Sequence, residues 1–165
     1  MNIFIGCTSD KKSSPCKAED MYMPSSLYRK ALTYAKKVLK GDHIYILSAK
    51  YHLLPLSKHI SPYNQYLGDF SAEEKQKWYD ETISQMKSHH INFNEKTVFL
   101  CGEDYYKGLK DEFSDADCPY GRQEGIGYVL KWLTKKIKGV DEIKESMVSL
   151  YDYVYATLNE QEELD

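Results

Sequence analysis

Three short runs constrain this chain more than any other feature: Asn2–Gly6 (NIFIG), His43–Ser48 (HIYILS) and Thr97–Cys101 (TVFLC). Each is apolar almost end to end instead of alternating apolar with polar residues. A strand with one wet face alternates. A strand without that alternation is covered on both faces, as in a parallel sheet sandwiched between helices.

The segments between these runs read as helices. Ser25 or Ser26 caps one that reaches about Lys40, with Leu27, Ala31, Tyr34, Ala35 and Val38 on one face and Gly41 as its stop. Ser71 and Glu74 form a capping box for a second helix, to about His89. Further helices are expected over about 103–113 and 123–138, with a loop at 114–122 that holds a short extended piece at Asp117–Tyr120. Gly139 is expected to break the chain before a last helix, in which Val140, Ile143, Met147, Leu150, Tyr151, Val154 and Leu158 form one apolar stripe. The expected fold class is therefore α/β: a three-layer sandwich with a mostly parallel sheet, the three strands being parallel neighbours, plus a C-terminal helix. The division is a domain at 1–139 and an acidic helix at 140–165. An apolar stripe of that length is expected to be buried on the domain or on a partner, including a second copy in a homodimer.

Charge sharpens this division. Residues 141–165 hold eight acids and one lysine, which leaves 21 basic residues against 17 acids over residues 1–140. A mildly basic body suits an anionic ligand or nucleic acid, although the excess is spread too widely to be a patch. No run has the length of a membrane helix, and the first residues read directly as a strand, not as a secretory signal, so a cytoplasmic protein without membrane contact is expected. The four cysteines (7, 16, 101 and 118) form no CxxC pair, so neither a zinc site nor disulfides are expected. His52 and His59 lack a third ligand at recognisable spacing, and no metal is expected. Gly121, Gly125 and Gly127 precede a helix without matching a phosphate or dinucleotide fingerprint, so no cofactor is expected.

In a parallel α/β sheet, ligands bind beyond the carboxyl ends of the strands. Here those ends run into three polar loops: Cys7 to Lys12, Ser48 to Tyr51, and Cys101 to Tyr106. The middle loop continues to Phe70 and is rich in tyrosine, histidine and lysine, which suits a pocket wall. Fifteen tyrosines against five phenylalanines favour aromatic faces that also carry a hydroxyl. Each residue also has a simpler reading: Cys7 as a small core thiol, Asp20 as a surface acid, Lys50 and Tyr51 as an ordinary turn, Pro62 and Tyr63 as a rigid turn packed on the core.

The block SAKYHLLPLSKHISPYNQYL (48–67) resembles that of a poorly characterised bacterial and phage family whose members read S-A-K-Y-G-L-L and then P-Y-D. Cys7, the Lys11-Lys12 pair, the segment Ala18–Ser25, Gly102 with Tyr105, and Pro119–Gly121 through Trp132-Leu133 fit the same pattern, over about residues 3–135. The pattern is similar to that of YaaA-like peroxide-stress proteins, which are linked to DNA binding. More distantly it resembles uracil-DNA-glycosylase-like modules. The resemblance implies a glycosylase-like fold and a nucleic-acid or nucleotide partner. It implies Asp20 and Lys50 as catalytic residues; Asp10, Asp69 and Asp104 are the carboxylates next in line should Asp20 not serve. Cys7, Lys12, Tyr22, Ser48, Tyr51, Tyr63, Asn64, Gly102 and Tyr105 would contact the substrate. Cleaving an N-glycosidic bond needs a carboxylate near the sugar cation and a donor near the leaving base, with aromatic rings to hold that base. Two positions depart from the pattern: His52 stands where Gly is usual, and Asn64 where Asp is usual. Non-catalytic nucleic-acid binding, and partner docking through the acidic tail, are the competing expectations.

Overall fold

The computed structural model describes residues 1–164, with side chains described through Glu160. In chain order the elements are β1 (Asn2–Gly6), β2 (Cys16–Lys17), α1 (Ala18–Met21), α2 (Ser26–Thr33), β3 (His43–Ser48), β4 (His52–Pro55), β5 (His59–Ile60), α3 (Ala72–Ser88), β6 (Thr97–Leu100), α4 (Glu103–Tyr106), β7 (Ala116–Asp117) and α5 (Ile126–Leu164). The main sheet runs β4-β3-β1-β6-β7. β3, β1, β6 and β7 are parallel, with Phe4 level with Tyr45 on one side and Phe99 on the other. The three apolar runs are thus parallel neighbours in a mostly parallel sheet.

Alternate residues of the strands feed two separate cores. Ile3, Ile5, Ile46, Val98 and Leu100 pack on one face with Tyr28 and Ala31 of α2 and with Val129 and Leu133 of α5. Phe4, Leu47 and Phe99 pack on the other face with Trp78, Tyr79 and Met86 of α3. This double coverage is why the strands carry no polar stripe. The caps at Ser25 and Ser71 form as read: Ser25 accepts from the Tyr28 amide, and Ser71 and Glu74 cap each other.

Several expectations need correction. The long loop after β3 holds an antiparallel strand, β4, paired with β3 from Tyr45–Pro55 to Ser48–His52. The tight turn between them rests on Ser48, whose Oγ accepts from the amides of Lys50 (3.2 Å) and Tyr51 (3.0 Å). His52 sits in the left-handed region at φ 66°, a conformation that favours glycine. Its ring stacks on Trp78, 5.9 Å between centroids, and burial lowers its pKa below the ordinary histidine value. The first long helix ends in a wider π turn, Tyr34–Leu39, and Lys40 at φ 51° makes the left-handed stop assigned to Gly41. Gly41 is small for another reason: the Ile3 side chain fills the place of a Cβ. The helix expected over 103–113 is the single turn α4 followed by a 3-10 turn at Lys110–Glu112.

Gly139 breaks nothing. α5 runs through it unbroken, and a Cβ there would meet no atom within 4 Å. Beyond it the apolar stripe does not fold onto the domain, and Ile143, Met147, Leu150 and Val154 are exposed within the single chain. Asp165, the last residue of the expected tail, lies outside the described residues. Among the described residues no helix is long and apolar enough to cross a membrane.

Candidate functional site

The carboxyl ends of β1, β3 and β6 carry a linked set of hydroxyls and a thiol. Ser48 Oγ donates to Tyr63 Oη at 2.7 Å, and Tyr63 Oη shares a hydrogen bond with Tyr22 Oη at 2.6 Å. Cys7, one residue past β1, has its Sγ 3.2 Å from Tyr105 Oη. The Lys11 ammonium lies 4.5 Å from the centre of the Tyr63 ring, and the Tyr51 ring meets that ring edge-on at 5.5 Å. Trp78 donates to the Ser48 carbonyl at 3.0 Å, which anchors the turn to α3. Burial, reinforced by the neighbouring Cys7, pushes the phenols of Tyr22, Tyr63 and Tyr105 far above the ordinary tyrosine range. These groups are neutral donors and acceptors; none is poised as a base near pH 7.

Beside this network opens a cavity of about 850 Å³. Its floor is Ile5–Ser9 and Leu100–Tyr105, and its walls include Ser25 and Tyr28 of the α2 start, Tyr66, Tyr120, Gln123 and the start of α5. Gly125 takes φ 129° as the chain enters α5, a conformation open to glycine and strained for other residues. Its carbonyl accepts from the Val129 amide at 3.0 Å. Two carboxylates stand at the cavity. Asp104 is held by Lys75 and Lys107, each at 3.4 Å. Glu103 is exposed and has no ion-pair or side-chain hydrogen-bond partner among the described residues. Tyr120 Oη is buried with no hydrogen-bond partner, and burial raises this phenol far above its usual range. A buried hydroxyl left unpaired costs free energy.

The structure unites some of the residues read from the sequence and separates others. Cys7, Gly102 and Tyr105 line the cavity. Tyr22, Ser48 and Tyr63 form the adjoining layer, and the Tyr22 ring packs 5.4 Å from that of Tyr28, which does line the cavity. Lys50 instead borders a separate shallow hollow with His52, Trp78, Glu74 and Glu81, and its ammonium lies 5.3 Å from the Tyr51 ring. Asp20 is half-buried, and its carboxylate has no bonded partner among the described residues. Asp20, Lys12, Lys50, Tyr51, Tyr63 and Asn64 are not among the residues lining the cavity, whereas Tyr105 is. Sequence reasoning missed Glu103, although it follows Gly102 in a loop already placed at the sheet edge. It also missed Tyr28, Tyr66, Tyr120 and Gln123, which reach the cavity from three other segments. Among the described residues no cluster of three His, Cys, Asp or Glu side chains could hold a metal ion.

Comparison with known families places this arrangement. Residues 3–135 match DUF6884, a family of unknown function. The chain belongs to that family. The DUF6884 match takes in every strand, the hydroxyl network and the cavity, and stops within the first turns of α5. No curated protein and no solved structure matches.

Proposed function

We propose that this DUF6884 domain binds a nucleobase, in a nucleotide or in nucleic acid, in the cavity beside β1 and β6 and cleaves its N-glycosidic bond. The observation that carries the reading is the cavity itself: aromatic walls with hydroxyl donors, one unpaired carboxylate, and a position at the carboxyl edge of a parallel sheet. The resemblance of the 48–67 block to glycosylase-like modules supports it.

In the proposed reaction a water oxygen bonds to the anomeric carbon of the sugar. The bond from that carbon to the base nitrogen breaks, and its electron pair leaves with the base. Glu103 takes the role assigned from sequence to Asp20: its carboxylate faces the sugar cation and accepts the proton of the attacking water. The Cys7–Tyr105 pair supplies hydrogen bonds toward the base. The exposed Tyr66 ring gives it a stacking surface, which contributes about 1–3 kcal/mol per base in comparable sites.

A second reading, binding without cleavage, is favoured by Asn64 standing where resembling sequences carry Asp and by the two lysines that occupy Asp104. Mass-spectrometric detection of free base, from a panel of modified and unmodified DNAs and nucleotides, separates the two. Glu103→Gln should lower base release by about 10²–10³ while leaving binding nearly intact, as expected for one well-placed electrostatic group. Asp20→Asn should change release little. Loss of release in Asp20→Asn with retention in Glu103→Gln would return the role to Asp20. Binding without release from every substrate would establish the second reading.

A further inference from the structure

The second half of α5 exposes a seam with no cover among the described residues. Its apolar side chains are exposed by between 46% (Val154) and 71% (Tyr153). Val140, Ile143, Met147, Leu150 and Val154 follow one another at alternating steps of three and four residues, the spacing of a two-helix seam. Asp141, Glu145 and Asp152 fall on the opposite side, and Glu142 borders the groove beside Ile143. From Val140 to Leu158 it is roughly 28 Å long. It continues the line of Val129, Leu133 and Ile137, which seats α5 on the sheet. Because α5 is unbroken through Gly139, the seam cannot turn back onto its own domain.

The occupant is indicated by charge. Lys131, Lys135, Lys136 and Lys138 lie just before the seam, and Glu160, followed in the sequence by Glu162 and Glu163, lies just after it. A second copy lying parallel would set lysines against lysines and acids against acids. A second copy lying antiparallel sets lysines against acids at both ends. We propose that residues 140–158 of α5 pair antiparallel with the same residues of a second copy, crossing near Val148 and Ser149. In this register Ile143 faces Val154 of the second copy and Met147 faces Leu150 of the second copy. Lys136 comes level with the stretch that begins at Glu160. The groove lined by Ile143, Ser146, Met147 and Leu150 receives the other helix.

The test uses the full chain in sedimentation equilibrium at micromolar concentrations. The expected mass is that of a dimer, and Met147→Asp should give the monomer mass with unchanged circular dichroism. Should that variant fail to fold, Leu150→Lys makes the same measurement. A benzophenone side chain at position 160 should photo-crosslink to peptides covering residues 131–139 of the second copy. A chain monomeric at every concentration overturns the proposal, as does a Met147→Asp variant that stays dimeric. Crosslinks joining residue 160 to the acidic end of the other chain overturn the antiparallel arrangement. A dimer whose affinity falls as salt is raised would support the role of the end charges.

Discussion

The two halves of α5 carry the same kind of pattern in different surroundings. Before Gly139, Val129 and Leu133 are buried against the sheet and α2; after it, Met147 and Leu150 stand in solvent. The family match covers most of the first half and none of the second. An amphipathic stripe therefore records that a face will be covered, not what covers it. In the first half the sheet lies within the same chain; in the second, nothing among the described residues reaches that far.

The sharpest way to break this comparison is to make the same truncation in each half. Leu133→Ala should destabilise the domain by roughly 2–5 kcal/mol, read from urea unfolding, because it empties a fully buried site. A loss under about 1 kcal/mol would mean that the first half is not seated as described. The join between the halves gives a smaller effect. Gly139→Ala should stabilise by about 0.5–1 kcal/mol in thermal melts, since a mid-helix glycine costs that much and a Cβ there meets nothing within 4 Å. Destabilisation would mean that the helix bends or breaks at Gly139 in solution. The smallest effect should come from Leu150→Ala, which should leave monomer stability within about 0.5 kcal/mol at dilutions where no second copy binds. A larger loss would show that this face packs on its own domain.

The sheet was legible because both of its faces are covered: uninterrupted apolar runs at 2–6, 43–48 and 97–101 have few other places to go. β4 was not legible. Only Leu53 and Leu54 lie between His52 and Pro55, and the reversal depends on a left-handed histidine that local pattern does not signal. The break assigned to Gly139 failed because one glycine costs a long helix little against the hydrogen bonds on either side. At the cavity, Cys7, Gly102 and Tyr105 stand where their place at strand ends puts them. Lys50 lies elsewhere because the turn capped by Ser48 carries it toward α3 and away from the cavity. Tyr66 and Tyr120 were out of reach, because their approach to the cavity depends on how distant loops pack.

The phenol network has an optical consequence. Tyr22, Tyr28, Tyr63, Tyr105 and Tyr120 all have their ionisation pushed upward, with burial as the main cause. Released into water by unfolding, each would give up its proton near pH 10. The folded chain thus holds protons that the unfolded chain has lost, so these groups add stability below about pH 10 and forfeit it as the solution becomes more alkaline. In a spectrophotometric titration near 295 nm, their phenolate absorbance should rise late and together with the loss of the helical signal, so that five chromophores report the collapse of the sheet edge that holds them.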